Sequence, residues 1–226
     1  MLLNEIIYSI QTVLNKGSKS DDSIYSNRFI YTFIKSYRAK LLRQSIDKYQ
    51  EVNPFNFQTI DCLELELSIL PECPCLTLNC KFLKSKYQLP RVIQSRNQLL
   101  LKVYTPDGTL INNSTLEEAK NFKYTRTKNN KMFWFIHNNF LVVVDPNNML
   151  SHVQVKGLFE DPVELQTVKS CNNSKCFDPL TQNYPIDTYM LDTIRTMTYE
   201  EIMRYMNQSL NDLTNDSQGI VLNQKE

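Results

Sequence analysis

Leu63-Glu64-Leu65-Glu66-Leu67-Ser68-Ile69 decides how this chain is read, because there the hydrophobic period changes from 3.6 to 2. Apolar and polar residues alternate along it, the pattern of a strand with one buried and one solvated face. Before it, the period is helical. Leu3, Ile6, Ile7, Ile10, Val13 and Leu14 fall on one arc of a helical wheel, and Gly17 sits where a helix C-terminus favours positive φ. Ser20, Asp21, Asp22 and Ser26 are competent N-caps for a second helix. Its apolar side is Phe29, Ile30, Phe33, Ile34, Tyr37 and Leu41, and Asn53-Pro54 closes it.

After the alternating stretch, more strands are expected. Leu99 to Tyr104 runs into Thr105-Pro106-Asp107-Gly108 and on to Leu110-Ile111, a hairpin signal in which Pro and Gly preset the turn. Ser114-Thr115-Leu116-Glu117 reads as a capping box opening a short helix through about Lys120. Met132 to Ile136, the turn His137-Asn138-Asn139 and Phe140 to Val144 form a second hairpin, and Val153 and Val155 mark another strand. Helix returns after Pro185-Ile186-Asp187, and Thr198 with Glu201 forms a further capping box. The expected fold class is α+β: N- and C-terminal helices packed together with an inserted antiparallel β block. The corresponding segments are 1–52 (N-terminal helices), 53–184 (the β region with its short helix), 185–214 (C-terminal helices rejoining the helical lobe) and 215–226 (a polar, disordered tail).

Bulk composition narrows the function classes. The 226 residues carry a net charge of +1, so any contact with nucleic acid or membrane must come from local patches. Only 4 glycines argue against a Rossmann or P-loop enzyme, whose phosphate loops need clustered glycines. No stretch approaches the ~20 apolar residues of a bilayer span, and the start lacks the basic n-region and apolar run of a signal peptide. The expected site of synthesis and assembly is the cytoplasm, where the 6 cysteines stay reduced.

Candidate chemistry is sparse. Cys73, Cys75, Cys171 and Cys176 are a candidate zinc set if two loops meet, but their spacings differ from the usual two-residue knuckles. Free loop thiols are the simpler reading, a disulfide is a third, and Cys62 reads as a packed side chain. His137 and His152 have no neighbouring nucleophile or acid that reads as a triad. Glu64 and Glu66 share a strand face and are explained by solvation. The residues that best suit an interaction are Arg28, Lys35, Arg38, Lys40 and Arg43 on the second helix. They suit a solvated face, a partner subunit or non-specific phosphate contact. Met132-Phe133-Trp134-Phe135 suits sheet core better than base stacking.

Several segments resemble the neck ring proteins of crAss-like bacteriophages. They are Asn4-Glu5-Ile6-Ile7, Ser20-Asp21-Asp22, Tyr37-Arg38-Ala39-Lys40-Leu41-Leu42-Arg43-Gln44 and Val103-Tyr104-Thr105-Pro106-Asp107-Gly108. Trp134-Phe135-Ile136-His137-Asn138-Asn139, Gly157-Leu158-Phe159-Glu160-Asp161-Pro162 and Tyr184-Pro185-Ile186 complete the set. More distantly the chain is similar to the tail tubular protein A class of short-tailed phages. The resemblance implies a non-enzymatic structural protein of the virion, assembled in the host cytoplasm: a head-to-tail connector forming a ring of about twelve copies from repeated contacts. Its implied partners are further copies of itself, the portal protein, other neck or tail rings, and genome DNA passing through the lumen without sequence specificity; no cofactor and no membrane are implied. The alternative is a small nucleic-acid-binding protein using the basic helix and a cysteine zinc site.

Overall fold

The computed structural model describes residues 1–15, 25–68, 82–95, 98–121, 131–145 and 149–222. Helix α1 (Leu3–Leu14) and helix α2 (Asn27–Asp47) open the chain. Of the candidate N-caps for α2, Ser26 is the one in place, its hydroxyl accepting the Phe29 N–H. Gly17, Ser20, Asp21 and Asp22 lie outside the described residues. Helix α2 ends at Asp47, short of Asn53, whose side chain instead caps a 3-10 turn at Pro54–Asn56.

The strands then follow: β1 (Gln58–Ser68), β2 (Phe82–Ser85), the short pair β3 (Gln94–Ser95) and β4 (Gln98–Leu99), and β5 (Leu101–Tyr104) with β6 (Leu110–Asn113). Helix α3 (Leu116–Asn121) leads to β7 (Phe133–His137), β8 (Phe140–Val144) and β9 (His152–Gly157). A 3-10 turn (Pro162–Thr167) and helix α4 (Thr188–Leu222) finish the described chain. Both predicted hairpins form. Gly108 takes φ 82° at the β5–β6 turn, and Asn138 and Asn139 take φ 50° and 64° between β7 and β8.

The fold class expected from the sequence is corrected by the sheet. Seven strands close into a barrel in the order β1-β2-β8-β7-β6-β5-β9, so the body is a sheet-rich core and not terminal helices packed together around an inserted antiparallel block. Closure depends on two strands that switch partners. β1 pairs with β9 through its first half and with β2 through its second; β6 pairs with β5 at Leu110 and Ile111, then with β7 at Asn112 and Asn113. The β6–β7 pair is parallel, which a tight turn cannot connect, and α3 lies in the crossover. Alternation reveals which residues face inward but not which strand is the neighbour. Closure was therefore illegible.

A bulge between Ile60 and Leu63 lets both side chains point inward although they are three residues apart. They join Val103, Ile111, Trp134, Leu141, Val143, Val153 and Val155 in the barrel interior. The Trp134 indole N–H donates to the Ile111 carbonyl at 3.0 Å, satisfying the one polar atom it buries. Phe133 and Phe135 point the other way and pack with Phe82 and Val142. Both faces of the aromatic strand are thus buried, and none of these rings is free to stack on a base.

The helices form a layer beside the barrel. Ile6 and Ile10 of α1, Ile30 and Ile34 of α2, and Met190, Ile194 and Ile202 of α4 belong to the same core cluster as the barrel interior. Thr198 does not open a helix as its capping-box pattern suggested; it lies buried inside α4, which starts at Thr188. Residues 215–222, placed in a tail on polarity alone, continue that helix.

The cysteine reading also changes. Cys62, expected to be a packed thiol, is disulfide-bonded to Cys171 across 109 residues of sequence, their Cα atoms 5.5 Å apart. Compartment arguments cannot see that β1 and the segment after the second 3-10 turn are neighbours. Cys176 is a free thiol among the described residues, its pKa pushed up to about 11 by burial and, secondarily, by Asp61. Cys73, Cys75 and Cys80 lie outside the described residues.

Two expectations follow for stability. A Cβ on Gly157 would meet the Leu101 side chain and the Leu100 carbonyl oxygen, the latter at 3.2 Å, so Gly157→Val should cost about 1–3 kcal/mol in denaturant unfolding. Cys62→Ser should lower stability by about 2–4 kcal/mol and abolish the response of the unfolding midpoint to reductant.

Candidate functional site

The stripe of α2 that packs inward is Ile30, Ile34, Arg38 and Leu42, a strict four-residue ladder with a cation in an apolar position. Arg38 is 0% exposed. Its Nε donates to the Pro185 carbonyl at 2.6 Å, Nη1 to Phe159 at 2.8 Å and Nη2 to Asn56 at 3.2 Å. One guanidinium therefore ties α2 to the turn before β1, to the loop after β9 and to the entry of α4. Burial lowers its pKa, and Tyr184, Tyr31 and Asp161 act in the opposite sense. The Tyr184 ring lies 5.8 Å from the guanidinium, with its own phenol pushed up to about 12 by burial.

Around this clamp the loop Glu160-Asp161-Pro162 is pinned to α2 from above. Asp161 accepts from the Tyr31 hydroxyl, from Lys35 Nζ at 2.9 Å and from the Val163 N–H at 3.0 Å. Burial is the main reason the Tyr31 phenol is raised, with Tyr184 and Asp161 adding to it. Arg43 pairs with Glu160. Below, the Asn56 amide donates to Asp187 at 2.8 Å. Three of the segments singled out in the sequence, Tyr37–Gln44, Gly157–Pro162 and Tyr184–Ile186, meet here.

The five basic candidates therefore divide by environment. Arg38 is internal and unavailable to a partner. Lys35 and Arg43 are committed to Asp161 and Glu160, though both remain partly exposed. Arg28 and Lys40 are exposed and make no ion pair among the described residues. Lys35, Lys40 and Arg43 line a groove of about 880 Å³ between α2 and the barrel, with Arg91 and Glu164 on its other wall. The role of Arg38 was missed because a charge on a helix reads as surface. The ladder of four-residue spacing through Ile30, Ile34 and Leu42 was the available signal.

Other candidates are not brought together. Glu64 pairs with Lys86 at 2.7 Å instead of forming a carboxylate dyad with Glu66. His137 ends β7 and His152 begins β9, the latter beside the Ser151 hydroxyl at 2.9 Å. Of the zinc set, Cys171 is held in the disulfide, while Cys73 and Cys75 lie outside the described residues. Among the described residues no cluster of His, Cys, Asp or Glu is arranged to hold a metal ion, and no helix is long and apolar enough to cross a membrane.

What the geometry does support is rigidity. Buried polar groups are spent on fixing elements to one another, and the exposed charges are left on outer surfaces. Replacing Arg38 by Ala strands three buried carbonyls and opens a cavity, with an expected cost of about 3 kcal/mol or more. Arg38→Lys should recover only part of this, because one ammonium cannot reproduce the fork of donors. Lys40→Ala should stay within about 0.5 kcal/mol of the parent in the same denaturant titration.

The model of the CrAss ring 2 family, described as phage tail ring protein 2, matches residues 5–225. That is nearly the whole chain, and the protein belongs to this family. No curated protein matches it.

Proposed function

We propose that this phage tail ring protein is a head-to-tail adaptor, a ring in the virion neck that joins the portal to the tail and surrounds the DNA channel. The family assignment over residues 5–225 carries the reading, since a tail ring family is structural. Its partners are further copies of itself, about twelve to a ring, together with the portal and adjacent neck or tail rings. Genome DNA passes through the lumen without being read, as suits a chain with a net charge of +1.

The physical form of the protomer supports this role. A ring that transmits load between head and tail needs subunits that do not deform at the junctions. A closed barrel clamped to a helical layer through Arg38, and stapled through Cys62 and Cys171, is such a unit. The contacts between copies then fall to side chains on exposed faces, among them Arg28 and Lys40 on α2, which make no ion pair among the described residues.

Electron microscopy of the protein co-assembled with its portal should show a closed ring stacked on the portal. A protein that stays monomeric beside portal and neighbouring neck proteins at high concentration would sink the adaptor reading. Arg28→Glu with Lys40→Glu should weaken co-assembly at least tenfold while leaving the thermal midpoint within about 2 °C, because neither side chain supports the fold.

A further inference from the structure

Consecutive residues at the β5–β6 turn, Pro106 to Leu110, are all exposed, and Leu110 is 52% exposed although it is apolar. Local hydrogen bonds hold this tip in one shape. The Gly108 N–H donates to the Thr105 carbonyl at 2.9 Å, and the Thr109 N–H donates to the Thr105 hydroxyl at 3.0 Å. The Asp107 carboxylate has no partner among the described residues. The tip therefore presents an unpaired acid flanked by Pro106 and Leu110.

A cleft of complementary character lies where α2 meets the barrel. The groove of about 880 Å³ that Lys35, Lys40 and Arg43 line runs into a second of about 290 Å³, and Arg43, Arg91 and Asn139 line both. Toward the C-terminal half of α2 the cations Lys40, Arg43 and Arg91 face the Glu160 carboxylate, which Arg43 already takes. Arg91 is kept beside that pair by its carbonyl, which accepts the Glu160 N–H at 2.8 Å. The Lys40 and Arg91 side chains are exposed and have no partner among the described residues. The second groove adds Val92, Leu99 and Ile136, each half-buried. A carboxylate arriving from outside, with apolar side chains next to it, would give this cleft what it lacks.

The two surfaces sit at opposite ends of the barrel. β9 runs antiparallel to β5, with Gly157 opposite Leu101 and Gln154 opposite Tyr104, so the loop carrying Glu160 leaves the end away from the turn. β6 runs parallel to β7, so the same turn lies near the start of β7 while Asn139 lies past its end. The length of β5, roughly 13 Å, separates them at the least, and the rigid tip cannot reach the cleft of its own molecule. We infer that the β5–β6 tip of one copy seats in the α2 cleft of the next. The Asp107 carboxylate lies between Lys40 and Arg91, and Pro106 and Leu110 pack against Val92, Leu99 and Ile136. Arg91 supplies a fork of paired donors and Lys40 a point charge. Donor and acceptor are different patches, so the contact is head-to-tail and repeats from copy to copy, as a closed ring requires. The inference rests on the ring reading above and names the surfaces that form its junction.

The test assembles full-length protein with portal and follows it by native mass spectrometry and thermal unfolding. Asp107→Arg and Arg91→Asp should each raise the concentration needed for ring formation at least tenfold. Both should keep the thermal midpoint within about 2 °C of the parent, because both side chains are exposed. The two together should return assembly to within about threefold of the parent, since the charges are exchanged in place. In the parent ring a carbodiimide should couple the Lys40 amine to the Asp107 carboxylate. Mixing isotope-labelled with unlabelled protein should show that the joined peptides come from two copies. Rings at the parental concentration in both single variants, no recovery in the combined one, or Lys40 coupled to a portal carboxylate in place of Asp107 would each overturn the junction while leaving the ring reading standing. A parent protein that forms no ring with portal present would remove both.

Discussion

The structure depends on a charge buried where an apolar side chain would be expected. Arg38 occupies a core position on α2 and spends its guanidinium on the carbonyls of Asn56, Phe159 and Pro185. Those carbonyls lie at or within a few residues of an element's end, where fewer partners come from regular structure. Burying the cation carries a desolvation cost, offset only because several of its donors find well-placed acceptors. A lysine has no planar fork to span three directions, and a leucine would leave three carbonyls dry and unpaired. The arginine is thus less a source of net stability than of definition: it fixes where the helical layer sits on the barrel.

That definition matters because the barrel itself offers little to a neighbour. Closure through β1 and β6 gives every strand of the barrel a neighbour on both sides, so among the described residues the barrel has no free edge strand. In the ring proposed above, contacts through side chains on helices and loops would have their angle set by the orientation of the helices relative to the barrel. A small error in that angle, repeated around a closed ring, would prevent closure. Tight coupling at Arg38, with Tyr31 and Lys35 on Asp161 and the Cys62–Cys171 staple joining β1 to the segment after the second 3-10 turn, is consistent with that need.

Much of the element content was legible. The arc of Leu3 to Leu14, the alternation around Leu63, the Pro-Asp-Gly turn and the Asn138-Asn139 turn each identify an element through a local rule, and each forms. Some local rules misled. Thr198 and Glu201 fit a capping box yet lie inside α4, because the apolar spacing continues upstream through Met190, Leu191 and Ile194 and the helix has no reason to break. Of the basic candidates, the ladder Ile30, Ile34, Arg38, Leu42 held the sign that one was internal, but charge outweighed spacing in the reading.

By itself the sequence determined the first two helices, both hairpins and the alternating strand, which faces are apolar, and a resemblance strong enough to point to the family, since all of these rest on neighbours within a few residues. Only the tertiary structure decided that the strands close into a barrel with one parallel pair, that Cys62 meets Cys171, and that Arg38 gathers three distant segments. The physical reason is the same in each case. Strand partners, disulfide partners and the acceptors of a buried guanidinium are separated by tens to more than a hundred residues, and no local periodicity records which distant group arrives.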